Sequence, residues 1–333
     1  MYGTERKKAL IIKILNILKD YSDEEHPLTQ QRILKLLEEV YDTTCDRRSV
    51  GANIADLIEM GYDIVSAGSN KGYFLASREF ESAEIRMLID SVLFSRNVTK
   101  KQAKDLIAKL KKLGNRYFDA KVSHISGLSE KQYASNRQII YNLDLLNEAI
   151  EQKKKVSFVY NRYGTDLKLH PRKEEPFVMN PYHIVACNGR YYLIGNVDKY
   201  DNVAHYRIDR MTEVALLSEA VKPMKQVRGL ENGLDLPKHM AEHIYMFNGE
   251  SVSVSFKISP ELLDDVVDWF GRDITLTSRE NGELTVYVKC NERAFFYWAL
   301  QYGEYVEAVS PASLRESLIT ASERLYRKYH SKG

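Results

Sequence analysis

The spacing of apolar residues changes near Lys155, and this change constrains the fold more than any other feature of the chain. Most of the preceding segments repeat their apolar residues every three or four positions, which indicates amphipathic helices. Beyond Lys155, short segments alternate apolar and polar residues, which indicates antiparallel strands. A chain of 333 residues is also longer than one core fills comfortably. We therefore predict an α+β multidomain protein.

Three helices and a hairpin are predicted at the N-terminus. Thr29 and Asp46 stand where N-caps are expected, and Gly61 stands where the third helix should stop. A glycine-rich turn at 68–72 separates two short strand patterns. The predicted helices are 7–20, 29–41 and 47–60, the strands are 63–67 and 72–76, and the buried stripe of the third helix is Val50, Ile54, Leu57 and Ile58.

The other face of the third helix carries the candidate DNA contacts. Small residues there would let the helix approach DNA closely, arginine can bond guanine or phosphate, and asparagine can pair with adenine. This N-terminal segment resembles the winged helix-turn-helix domains of bacterial regulators. Small three-helix units also serve as protein-interaction modules, and residues 1–80 hold 11 basic against 13 acidic side chains. The predicted DNA contacts are Arg47, Arg48, Ser49, Asn53 and Lys71.

Strand patterns of the middle region contain a more specific resemblance. Residues 180–195 read NPYHIVACNGRYYLIG, and residues 205–211 read HYRIDRM. These segments are similar to the WYL domain, a small Sm-like or SH3-like barrel of bacterial transcription regulators. The signature triplet is Tyr191-Tyr192-Leu193, so tyrosine stands in place of the family's tryptophan. Short strands in so short a segment favour closure into such a barrel, because closure removes the sheet edges.

The resemblance implies an effector-sensing role, with nucleotides or single-stranded nucleic acid as the leading ligands. Arginine side chains match phosphates and aromatic rings stack on bases, which suits an anionic ligand that contains a base. In the alternative interpretation, Tyr192 and Leu193 belong to the barrel core and do not contact a ligand. Asp209 then forms an ion pair with a neighbouring arginine. The predicted effector residues are Ser157, Tyr160, Tyr182, His183, Arg207 and Arg210.

The C-terminal segment follows a β-α-β-β-α-β order, which favours a ferredoxin-like fold. It resembles the extension that accompanies WYL domains, which is associated with dimerisation or with completing the effector site. We therefore expect a homodimer that binds a two-fold symmetric operator. The predicted domains are a winged helix-turn-helix at 1–78, a helical connector at 79–153, a WYL-like barrel at 154–222, a linker at 223–250 and the C-terminal domain at 251–333.

Three common enzyme signatures are missing from the sequence. It contains no Walker loop, no HExxH and no GxSxG, and the eight histidines are interpreted as scattered, without ligand spacing. We expect no catalysis, cofactor or metal, and no membrane association. The three cysteines are far apart, which favours the reducing cytoplasm. Two alternatives stay open: a nucleotide-processing enzyme, and a protein-interaction adaptor without affinity for duplex DNA.

Overall fold

The computed structural model describes residues 9–68, 70–118, 138–278 and 282–330. The chain divides into two compact units, Met1–Tyr133 and Ala134–Gly333. Within the described residues the protein is a mixed α/β structure with ten helices and three sheets. Each unit contains its own clusters of buried apolar residues.

The first unit begins with three helices and a two-stranded antiparallel sheet, as predicted from the sequence. Side-chain oxygens of Thr29 and Asp46 accept the bonds that cap the second and third helices. Ser69, within the predicted turn, lies outside the described residues. The elements are α1 (Leu10–Tyr21), α2 (Gln30–Tyr41), α3 (Arg47–Glu59), β1 (Ile64–Ser66) and β2 (Tyr73–Leu75).

The predicted buried stripe of α3 is correct at three of its four positions. Val50, Ile54 and Leu57 are almost completely buried, whereas Ile58 is 47% exposed. Successive residues of a helix are rotated by about 100° around its axis. Ile58 follows the buried Leu57 and therefore lies beside the packed face instead of on it. The prediction for Ile58 was therefore wrong.

The hairpin is attached to the helices through Leu28. Leu28 and Tyr73 exchange two backbone hydrogen bonds of 2.8 Å, which form an isolated antiparallel bridge between Leu28 and the hairpin. Gly72 allows this approach, because a Cβ atom there would lie 2.2 Å from the carbonyl carbon of Leu28. The hairpin is thus held against the start of α2.

Two further helices, α4 (Ser82–Leu93) and α5 (Lys100–Lys111), follow in the first unit. They pack around a small apolar cluster that includes Ile85, Ile89 and Phe118. Both helices lie within residues 79–153, where the sequence predicts helical structure.

The second unit begins with α6 (Ile139–Glu151) and a six-stranded sheet. The sheet curls into a half-barrel, with α6 packed against its apolar core. Its pairing order is β4-β3-β5-β6-β7, β8 also pairs with β3, and all pairs are antiparallel. The strands are β3 (Lys154–Tyr163), β4 (Leu169–Pro171), β5 (Phe177–Cys187), β6 (Arg190–Asn196), β7 (Val203–Arg207) and β8 (Met211–Ala220).

A short helix, α7 (Leu236–Glu242), separates this sheet from the last one. The last sheet has the order β10-β11-β9-β12, with every neighbouring pair antiparallel. Its β-α-β-β-α-β order was predicted from the sequence; Asn281, in the predicted turn, lies outside the described residues. The elements are β9 (Ser251–Ile258), α8 (Leu263–Phe270), β10 (Thr275–Ser278), β11 (Leu284–Asn291), α9 (Glu292–Gln301), β12 (Val306–Ser310) and α10 (Ala312–His330).

Candidate functional sites

The exposed face of α3 begins with two arginines. Arg47 and Arg48 form the first turn of the helix, and both side chains are exposed. Nε of Arg47 donates a 2.6 Å hydrogen bond to Oε1 of Gln30, at the start of α2. Ala52 and Ala55 lie further along the helix and are also exposed. The face therefore presents cationic groups at one end and small side chains below them.

Ser49 and Asn53 are less available than the arginines. Both are half-buried, and Nδ2 of Asn53 donates a 2.7 Å bond to the carbonyl of Ser49. The backbone N–H of Ser49 donates to Asp46, and this bond is the main reason that the pKa of the Asp46 carboxyl is lowered. The capping carboxylate therefore stays ionised beside the arginines.

A polar groove of about 670 Å³ lies between the N-terminal ends of α2 and α3 and the hairpin. Lys71 is exposed in the hairpin turn, although it does not line this groove. Sequence reasoning missed Gln30 and Gln31 as candidate contacts; the signal was a pair of amide side chains directly after the Thr29 cap. The lining residues are Thr29, Gln30, Gln31, Arg47, Ser66, Gly68, Asn70, Gly72 and Tyr73.

In the half-barrel, Asp209 lies between two arginines. Arg207 bonds both carboxylate oxygens, from Nε at 3.0 Å and from Nη2 at 2.7 Å. Nη1 of Arg190 donates a further 2.8 Å bond to the same carboxylate. Burial alone would lower the pKa of Arg207, but the bonds to Asp209 raise it overall. Arg207 is thus charged and already paired, and Arg190 is a partner that sequence reasoning missed.

The two predicted tyrosines face inward. Tyr182 is 6% exposed, and its hydroxyl donates a 2.7 Å bond to the carbonyl of Lys222. Burial raises the pKa of Tyr182 to about 12. Tyr160 is 9% exposed, and its hydroxyl accepts a 3.3 Å bond from the backbone N–H of Arg207. Both hydroxyls therefore bond the protein's own backbone.

His183 and Ser157 lie on different strands and are not joined to the arginines. His183 is exposed on β5 and pairs in register with Ile194, whereas Ser157 is half-buried on β3 beside Val178. Over the described part of the chain, neither side chain is hydrogen-bonded to Arg207 or Arg210. The structure therefore does not gather the six predicted residues into one set of contacts.

The charge of Arg210 acts on Tyr160, which belongs to an aromatic cluster with Phe158, Phe177 and Tyr206. Its Nε is buried and has no hydrogen-bond partner among the described residues. Burial raises the pKa of Tyr160, while the charge of Arg210 acts in the opposite direction.

A second cation borders the same aromatic cluster. Nζ of Lys173 lies 4.2 Å from the ring centre of Phe177, a cation–π contact on a ring that is only half-buried. Sequence reasoning missed both residues, since Lys173 lies between strands, Phe177 begins β5, and neither belongs to a family motif. Lys173 therefore places a cation next to an aromatic face of the half-barrel.

Three histidines that the sequence treats as scattered are brought together in the second unit. His205 lies on β7, and His239 and His243 lie on and just after α7. One ring nitrogen of each lies within 4.8 Å of the other two. The interpretation of the histidines as scattered was therefore wrong for these three; the missed signal was the four-residue spacing of His239 and His243.

Comparisons with known proteins identify two domains in the second unit. Residues 141–216 match the WYL domain. Residues 250–326 match the WCX domain. The WYL match begins inside α6 and ends in β8, and the WCX match begins just before β9. The resemblance expected from the segments at 180–195 and 205–211 is confirmed for the WYL domain.

Two solved structures are similar to this chain. The proteasome accessory factor B/C (PafBC) of Arthrobacter aurescens is 13% identical with a TM-score of 0.30, covering 98% of this chain and 49% of that one. A CRISPR Cas-related protein is 15% identical with a TM-score of 0.40, covering 98% of this chain and 85% of that one. The present chain thus spans about half the length of the PafBC chain. None of the curated proteins matches.

None of the helices within the described residues is both long and apolar enough to cross a membrane.

Proposed function

We propose that this protein is a DNA-binding transcriptional regulator, without catalytic activity, whose DNA affinity is modulated by an anionic effector. The observation that carries the proposal is the exposed arginine pair at the start of α3, next to a polar groove and a docked hairpin. The WYL domain at 141–216 supports the regulatory part.

The first unit is interpreted as a winged helix-turn-helix domain, with α3 as the recognition helix and β1–β2 as the wing. Small exposed residues such as Ala52 and Ala55 let a helix enter the major groove closely, while Arg47 and Arg48 reach base edges or phosphates. Gln30, bonded to Arg47, is positioned to hold that arginine or to bind phosphate itself. Lys71 extends the cationic surface onto the wing.

Total charge does not oppose this interpretation. Residues 1–80 carry two more acidic than basic side chains, but phosphate binding depends on where cations are placed, more than on their sum. Asp46 is engaged with the backbone of α3, so its charge is directed at the helix N-terminus.

The half-barrel is interpreted as an Sm-like or SH3-like effector domain, and the C-terminal sheet as a ferredoxin-like domain. The proposed effector surface combines Arg210, whose charge acts on Tyr160, with Lys173 beside the ring of Phe177, because cations near aromatic rings suit a phosphate joined to a base. Arg207 contributes less to this surface than Arg210 does, since its guanidinium already binds Asp209. The proposed effector is a nucleotide or single-stranded nucleic acid.

Sensing requires that the effector bind two states of the protein with different affinity. We propose that these states belong to a homodimer in which the two α3 helices read a two-fold symmetric operator.

In vitro selection from a pool of random duplexes tests the DNA-binding part. The wild-type protein is expected to enrich one sequence family with two-fold symmetry, and the selected duplex then serves in all further assays. Failure to retain any duplex at low salt contradicts the proposal and favours a protein-interaction adaptor.

Anisotropy titration of labelled single-stranded DNA tests the effector part. We expect Arg210→Ala to weaken binding about tenfold or more, or about 1.4 kcal/mol, relative to wild type. Arg162→Ala removes an exposed arginine from β3 of the same half-barrel and serves as the control. Equal affinity of both variants and the wild type contradicts this assignment of the effector surface.

A further inference from the structure

The three clustered histidines are all buried and come from separate parts of the second unit. His205, His239 and His243 are 7%, 9% and 6% exposed. Nε2 of His205 and Nε2 of His239 lie 2.8 Å apart. The segment that contains α7 lies between the WYL and WCX matches, so the cluster connects this segment to a strand of the half-barrel.

The backbone holds the three rings in place. His239 and His243 are four residues apart, which places them on the same side of a helical turn, and their rings stack at 4.1 Å. Nδ1 of His243 lies 2.9 Å from the carbonyl of His239. The backbone N–H of His205 donates a 2.7 Å bond to Oδ1 of Asn248. Contacts within the cluster and the bond to Asn248 therefore hold the histidines in position.

Burial keeps these imidazoles neutral. Burial and the other two histidines lower the pKa of His205 to about 3, and burial together with His243 lowers the pKa of His239 to about 3. The pKa of His243 is also lowered, mainly by burial. Neutral imidazole has a free lone pair, and this is the form that binds metal ions.

We propose that His205, His239 and His243 bind one divalent transition-metal ion of the zinc class. In tetrahedral geometry, metal–nitrogen bonds of about 2.0–2.1 Å place ligand nitrogens about 3.3 Å apart, which falls between the 2.8 Å contact and the 4.8 Å limit of the cluster. A hydrogen bond from Nδ1 of His243 to a carbonyl is also the usual way in which a ligating imidazole is oriented.

The ligand chemistry selects the class of ion. Three imidazoles suit zinc, copper or nickel, whereas magnesium and calcium prefer oxygen ligands. The carboxylate of Glu242 acts electrostatically on His243 in the direction that favours positive charge, and Lys289 acts against it. An ion at this site would fasten α7 to β7. This proposal stands on the histidine geometry and does not depend on the proposed regulatory function.

Cobalt titration of the chelator-treated full-length protein tests the site. The wild type is expected to bind Co²⁺ with visible absorption bands of a nitrogen-coordinated ion, and zinc is expected to displace cobalt and raise the midpoint of thermal unfolding. His239→Gln is expected to lose the bands and the zinc-dependent rise. Absence of both effects in the wild type overturns the proposal.

Two control variants separate this cluster from other histidines. His26, with Asp23 and Glu25, forms the other group in the described residues that can gather around an ion. His183 is exposed on the half-barrel. His26→Gln and His183→Gln are expected to keep the cobalt bands. Loss of the bands in His26→Gln, with retention in His239→Gln, overturns the assignment.

X-ray absorption of the zinc-loaded wild type provides a measurement that does not depend on a variant folding. The proposal predicts a zinc spectrum with the scattering pattern of three imidazole rings. A spectrum dominated by oxygen ligands overturns it.

Discussion

Arg207 and Asp209 are joined by two hydrogen bonds, of 3.0 and 2.7 Å, and the carboxylate of Asp209 is shared with Arg190. Asp209 is 8% exposed, so its charge is satisfied almost entirely by these arginines. The sequence alternative in which Asp209 pairs with a neighbouring arginine is therefore confirmed. The pair stabilises the corner between β7 and β8.

Removal of the Asp209 charge should destabilise the second unit. Asp209→Asn leaves two arginines without their carboxylate, and because these side chains are partly exposed we expect a loss of about 1–3 kcal/mol in the free energy of unfolding. Urea denaturation measures this. Asp201→Asn, at an exposed position, removes the same charge and should change stability by less than about 0.5 kcal/mol. Equal losses of unfolding free energy in Asp209→Asn and Asp201→Asn would contradict the structural role of Asp209.

Tyr182 is expected to support the fold without contacting the effector. Tyr182→Phe removes the bond to the carbonyl of Lys222 and should lower the free energy of unfolding by about 1 kcal/mol. Tyr163→Phe, at a side chain that is 53% exposed, should have almost no effect. Both variants should bind single-stranded DNA with the same affinity. A loss of affinity in Tyr182→Phe alone would show that this tyrosine contacts the effector.

Helical and strand segments could be predicted from the sequence because they depend on local spacing and caps. Thr29 and Asp46 cap the helices as predicted, and the strands follow the alternation beyond Lys155. The environment of Ile58 could not be predicted as well, since a stripe of apolar residues defines a face only to within one residue.

Side-chain partners between distant segments were the least predictable part of the site. The inward orientation of Tyr182 depends on Lys222, forty residues away, and the second partner of Asp209 is Arg190, which lies on β6. The histidine cluster requires α7 to pack against β7. No local pattern specifies these contacts, although the spacing of His239 and His243 was visible.

Gly72 is expected to be required for attachment of the hairpin. Gly72→Ala places a Cβ atom 2.2 Å from the carbonyl carbon and oxygen of Leu28, at a φ of +101°, so we expect a loss of more than about 2 kcal/mol in the stability of the first unit. Gly68→Ala is a matched control, because its φ is +107° but no atom lies within 4 Å of the new Cβ. The control should cost about 1 kcal/mol. Thermal unfolding that ranks the two variants in the opposite order would contradict this packing.

The three cysteines should differ in their reactivity. Cys290 is completely buried, and burial raises the pKa of its thiol to about 12, so at pH 8 almost none of it is thiolate. Cys45 and Cys187 are half-buried. Titration of the native protein with a disulfide reagent should modify at most two thiols, and titration in urea should modify three. Rapid reaction of all three thiols in the native protein would show that Cys290 is accessible to the reagent, contrary to its burial in the structure.

Anisotropy titration of the selected operator duplex, repeated over a range of salt concentrations, tests the central claim most directly. We compare the wild type with an Arg47→Ala, Arg48→Ala double variant and with Arg272→Ala, which removes an exposed arginine from the C-terminal region. We predict that the double variant loses at least tenfold in affinity for the duplex, and that Arg272→Ala keeps the wild-type affinity. The slope of the logarithm of the binding constant against the logarithm of the salt concentration should fall in magnitude by about one for each phosphate contact removed. Undiminished binding of the double variant, with folding intact, would contradict the assignment of α3 as the helix that contacts DNA.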